Sequence, residues 1–101
     1  MLTSKQRAYL RGLAADMETI IMIGKEGMSD AIVTSAREAI TARELIKGKV
    51  LVETSPISPR DAAEYIADCI GCEVVQVIGS KFVLYKRHPK EPKIVLPRAK
   101  K

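Results

Sequence analysis

The chain has 101 residues, 47% of them hydrophobic, and a formal net charge of +5. That length supports one compact core and not two. No window approaches the roughly 18 consecutive apolar residues of a membrane span, and the start reads as a capped helix instead of a signal sequence, so a soluble cytoplasmic protein is expected.

Thr3-Ser4-Lys5-Gln6 has the form of a capping box, with Thr3 as N-cap and Gln6 reaching back. In the helix that follows, Tyr9, Leu10, Leu13 and Met17 recur at helical spacing as a core stripe, with Arg7 and Arg11 one turn apart at its margin. Thr19 to Ile23 is an apolar run with no polar alternation, the pattern of a strand buried on both faces, and it stops at Gly24. Ser29 is placed to cap a second helix running to about Ala42, with Ile32, Val33, Ala36 and Ile40 on its buried face.

Glu44 to Glu53 reads as a strand, with Lys47 and Lys49 on one face and Gly48 suggesting a bend or bulge. Ser58-Pro59 opens a third helix whose stripe is Ala62, Ile66, Cys69 and Ile70, and Gly71 ends it. Glu73–Ile78 and Lys81–Arg87 flank Gly79-Ser80, a pair suited to a type II′ hairpin turn.

Residues 1–87 are therefore expected to form one domain. From His88 on, Pro89, Pro92 and Pro97 forbid regular structure, so 88–101 is expected to be an extended, mobile basic tail. Seven of the 17 Lys and Arg residues lie from Lys86 onward, against the single acid Glu91, which leaves residues 1–85 slightly acidic. Such an arm is the footprint of phosphate contact, although solubilising tails share it.

The element order is α-β-α-β-α-β-β. Strands separated by helices favour crossover connections and the terminal hairpin adds antiparallel pairing, so an α/β fold with a four-stranded mixed sheet packed with three helices is predicted. Leu13, Ile21, Ile23, Ile32, Ile66, Val75 and Leu84 are the expected core.

Gly24-Lys25-Glu26-Gly27 lies between the first strand and a helix N-terminus, where free backbone N–H groups and the helix dipole favour an anion. Glycines there let the chain approach a sugar–phosphate backbone, as the GXXG loop of KH domains does, and Lys25 adds charge at the tip. Taken alone, the four residues fit better a strand-to-helix turn that merely needs two glycines.

The surrounding residues narrow this. Leu2-Thr3-Ser4-Lys5-Gln6-Arg7-Ala8-Tyr9-Leu10-Arg11, Ile23-Gly24-Lys25-Glu26-Gly27-Met28-Ser29, Gly71 through Tyr85, and the tail from Pro89 to Pro97 together resemble a stand-alone CRM domain of the bacterial YhbY family. The resemblance implies a fold similar to the C-terminal domain of translation initiation factor three, RNA binding, and association with precursors of the large ribosomal subunit; in plants the same domain serves intron splicing. It maps the RNA surface onto Gly24, Lys25 and Gly27 with Lys5, Arg7 and Arg11 as neighbours. Glu26 is the departure, an acid in a loop meant for phosphates, and shifts weight onto flanking cations, including Lys90 and Lys93 of the tail.

Other chemistries fit less well. Two cysteines are too few to staple a secreted mini-domain, so Cys69 and Cys72 are read as reduced. Their CxxC spacing closes a helix instead of opening one, where the dipole disfavours thiolate, and His88 is the only histidine available to a metal site, so Cys69 is expected to pack in the core. The loop is not GxxxxGK[ST], no nucleophile has an oriented base, and Asp61 and Glu64 read as solvated charge. No enzyme, cofactor, metal or small-molecule substrate is expected. Tyr9, Tyr65, Phe82 and Tyr85 all read as core or strand, so base stacking is not indicated and contact should be to RNA backbone and shape. The alternative is a protein-interaction module that binds a ribosomal or assembly protein without touching RNA.

Overall fold

In a computed structural model of the chain, the structure describes residues 2–90 together with 92, 94 and 96. The elements follow the predicted order: α1 (Ser4–Ala14), β1 (Ile21–Ile23), α2 (Asp30–Arg43), β2 (Leu45–Val50), α3 (Pro59–Ile70), β3 (Glu73–Ile78) and β4 (Lys81–Tyr85). They build one four-stranded sheet of order β1-β2-β4-β3, with β1 parallel to β2 and both β4 pairings antiparallel. Among the described residues no helix is long and apolar enough to cross a membrane.

Local chemistry sets the element ends. Thr3 and Gln6 form the reciprocal capping box of α1, while Ser29 and Ser58 accept from Ile32 and Asp61 to start α2 and α3. Gly71, left-handed, terminates α3. Gly79, but not Ser80, has a positive φ, the signature of a type II′ turn.

The sheet is covered on both sides. On one, α2 and α3 bury Val33, Ala36, Ile40, Ala62, Ala63, Ile66 and Ile70 against Ile21, Ile23, Ile46, Val50, Phe82 and Leu84. On the other, α1 stands without a neighbouring helix and presses Leu10 and Ala14 onto Leu45, Val75, Val83 and Tyr85. Ile94 and Leu96 of the C-terminal segment complete that second cluster.

Several expectations change here. A helix alone on a sheet face buries only a narrow strip, so Leu13 and Tyr9 are 39% and 43% exposed instead of core, and Ile32 at the edge of α2 is half-buried. Met22 is 57% exposed because α1 stops short of β1, so that strand is buried on one face only. Cys69 lies off the line of Ala62, Ala63, Ile66, Ala67 and Ile70, and is exposed beside the exposed Tyr65.

Gly48 causes no bulge. It lies under the Phe82 ring, which occupies the space a Cβ would need. The irregularity is instead in β3 between Val74 and Gln76, where Val75 is the additional residue.

Of the segment after β4, the described residues His88, Ile94 and Leu96 contact the domain. Glu44, the C-cap of α2 with φ 66° and 1% exposure, accepts 2.8 Å hydrogen bonds from the backbone N–H groups of His88 and Ile94. A buried carboxylate is tolerated only with such donors. Lys93 falls outside the described residues.

Candidate nucleic-acid interface

The strand register orders everything at the two ends of the sheet. Loop 24–27 leaves the C-terminal end of β1, beside the exit of β2 and the β3–β4 turn: Leu51 donates to the Ile23 carbonyl (2.8 Å), and Val50 to that of Ser80 (2.7 Å). Within the loop, Gly27 donates back to the Gly24 carbonyl at 3.0 Å, turning the chain toward Ser29 and α2.

The two glycines have different roles. Gly27 is buried with φ +71°, and a Cβ there would stand 2.9 Å from Pro56 Cγ. Both the left-handed conformation and the close contact demand glycine. Gly24 has no such φ, and its added Cβ would make an ordinary 3.7 Å contact with Leu51. The turn therefore needs one glycine, and at position 24 the fold places no demand.

Lys25 and Glu26 are both exposed at the tip, and Lys25 has no hydrogen-bond or ion-pair partner among the described residues. Asp30 adds a second carboxylate in the first turn of α2. Two acids at the helix entrance oppose the dipole's attraction for an anion, so the loop cannot hold a phosphate tightly unaided. A cleft of about 370 Å³ runs along it, lined by Met22, Gly24, Lys25, Glu26, Gly27, Ser29 and Ile32.

The expected cationic neighbours are not gathered around this tip. Arg7 donates through Nη1 to the carbonyls of Val74 and of Val75, the latter at 3.2 Å, at the start of β3. That is the far edge strand, at the end of the sheet opposite the loop. Lys5, two residues before Arg7 on α1, is exposed, as is Arg11 one turn after Arg7. Lys90, also exposed, follows His88, which is fixed to Glu44 at the entry to β2, again at the far end. Lys5, Arg11 and Lys90 thus share the α1 side of the sheet, with Lys5 and Lys90 toward the end away from Lys25 and Arg11 nearer the middle, in the last turn of α1 that Lys47 closes.

Lys47 is spent locally: its Nζ donates to the carbonyls of Ala14 (3.1 Å) and Met17 (3.4 Å), closing the C-terminal end of α1 where the dipole favours a cation. Sequence reasoning missed Lys81, and it noted Lys49 only as sharing a face with Lys47. The two are directly paired across β2 and β4 at the loop end of the sheet. Only the register between strands distant in sequence could reveal that.

The CxxC pair has no thiolate character at Cys72. Burial pushes its thiol up to about 11, only partly offset by Lys86.

The chain matches the family model for the CRS1/YhbY (CRM) domain over residues 2–86. It is 38% identical over 97 residues to "Probable RNA-binding protein YqeI" of Bacillus subtilis, covering 96% of this chain and 100% of that protein. It is 35% identical over 101 residues to a Haemophilus influenzae protein named "RNA-binding protein", covering 96% of each. Among solved structures, that of the hypothetical protein SAV1595 from Staphylococcus aureus superposes with a TM-score of 0.71 at 36% identity, covering 96% of this chain and all of the other. By sequence and by fold, this chain belongs to the CRS1/YhbY (CRM) domain family.

Proposed function

We propose that this protein binds RNA by its backbone, with loop 24–27 as one contact and the cations of the α1 side of the sheet as the others. The observation that carries the reading is Gly24. A glycine that neither φ nor packing requires leaves an open approach to the main chain beside an unpaired lysine and a helix N-terminus. Relatives named as RNA-binding proteins support the same conclusion.

The likeness to the YhbY family supports a precursor of the large ribosomal subunit as the RNA and a role in its assembly. Lys5, Arg11, Lys90 and Lys93 are assigned to phosphate contact. Arg7 belongs to the same surface as a positioning residue, because its guanidinium already serves the β3 bulge. Crosslinking in cells followed by sequencing of the attached RNA tests this. Enrichment of large-subunit precursor is expected, and crosslinks confined to protein would favour the interaction-module reading.

A further inference from the structure

One row of side chains crosses the whole sheet at its loop end. Met22 of β1 pairs with Lys49 of β2, Lys49 with Lys81 of β4, and Lys81 with Ile78 of β3. Pleat alternation puts all four on the α1 side, since Val83 and Tyr85 at alternate positions of β4 pack under α1. The helix does not reach this row: Lys47, two residues before Lys49, already closes its C-terminal end. Met22 and Ile78 are accordingly 57% and 62% exposed.

The centre of the row violates a pairing rule. Val50 donates to the Ser80 carbonyl, which makes Lys49 and Lys81 a non-hydrogen-bonded pair, the kind with the closer side chains. Like charges directly opposite are destabilising. Neither ammonium has an ion-pair or hydrogen-bond partner among the described residues, and no carboxylate stands in the row. A local conflict without a compensating contact marks a site kept for a ligand, here an anion.

We infer that this row takes an unpaired, single-stranded stretch of RNA, an inference that rests on the RNA-binding reading above. Lys49 and Lys81 hold phosphates, while Met22 and Ile78 offer apolar surface to the faces of unstacked bases on either side. Four strands span about 14 Å, room for two to three nucleotides of extended chain. Met22 also lines the cleft along loop 24–27, so the strand continues from the row onto the loop. A duplex is too rigid and its bases too enclosed to use the two apolar ends.

The test uses the full chain with two labelled probes, a 12-nucleotide oligoadenylate and a 20-base-pair RNA duplex, titrated at several salt concentrations. For Lys49→Gln/Lys81→Gln, affinity for the oligoadenylate should fall roughly tenfold at 0.15 M salt, and the slope of log affinity against log salt should fall by about 1.4. Duplex binding should change much less, and the melting temperature should hold or rise because the repulsion is gone. Met22→Ser/Ile78→Ser should weaken oligoadenylate binding with the slope unchanged. If the lysine variant binds oligoadenylate like wild type while Lys25→Glu does not, the row is overturned and the RNA-binding reading stands. Wild-type protein that binds only the duplex also overturns it, and wild type that binds neither probe overturns both.

Discussion

Gly27 packs against Pro56 so closely that a Cβ at Gly27 would stand 2.9 Å from the ring's Cγ, whereas at Gly24 the corresponding atom would meet only Leu51 at 3.7 Å. The two glycines of one motif should therefore respond oppositely to the same change. Gly27→Ala is expected to lose about 1–3 kcal/mol of stability, from left-handed strain and the clash with Pro56. Gly24→Ala should stay within about 0.5 kcal/mol by urea denaturation yet weaken RNA binding. Equal stability losses at both positions would mean that the loop is built for its turn alone.

Arg7 and Arg11 separate in the same way. Arg7→Ala removes the donor that serves the Val74 and Val75 carbonyls at the β3 bulge, and should cost about 1–2 kcal/mol. Arg11 is exposed, so Arg11→Ala should leave the melting temperature nearly unchanged and reduce the salt slope of RNA binding. A thermal melt and a salt titration of each variant decide it.

Glu44 joins the C-terminal segment to the domain. Glu44→Ala leaves the His88 and Ile94 N–H groups without their acceptor, and an expected loss of about 1–3 kcal/mol should come with faster tryptic cleavage after Lys90. Deleting 88–101 should also destabilise, because Ile94 and Leu96 leave the Leu10–Tyr85 cluster. Lys90→Gln/Lys93→Gln therefore tests the segment's charge more cleanly. It should lower RNA affinity without shifting the melt.

The Cys72 thiol has a folded-state value of about 11 against an ordinary 9.0. A raised value favours the neutral form in the folded protein, so above pH 9 the unfolded chain sheds this proton more readily than the folded one. Stability should decline between pH 9 and 11, and Cys72→Ala should flatten that decline. At neutral pH, Cys72→Ser should not alter RNA affinity.

Much of the fold is legible because its signals are local. Thr3 with Gln6, Ser29, Ser58-Pro59, Gly71 and Gly79-Ser80 each act within a few residues, and each marks an observed element end. What escapes the sequence depends on distant partners. Periodicity alone could not show that α1 lies by itself on its face, leaving Tyr9 and Leu13 half open, nor that Glu44 fastens residues 44 and 50 positions further on. The candidate site divides likewise. The loop and its glycines are readable as a motif, but the distance from Lys25 to Arg7 and the pairing of Lys49 with Lys81 follow only from strand order and register.

The most direct measurement is the affinity of Lys25→Glu for a structured fragment of large-subunit ribosomal RNA, titrated across salt beside wild type, with a thermal melt of both. Lys25 supports no core, so the melts should coincide within about 0.5 kcal/mol. Binding should weaken at least several-fold at 0.15 M salt, with the slope of log affinity against log salt lower by about 0.9. A Lys25→Glu protein that binds this RNA as tightly as wild type, with the same slope, would contradict the assignment of loop 24–27 to RNA and leave it a turn between β1 and α2.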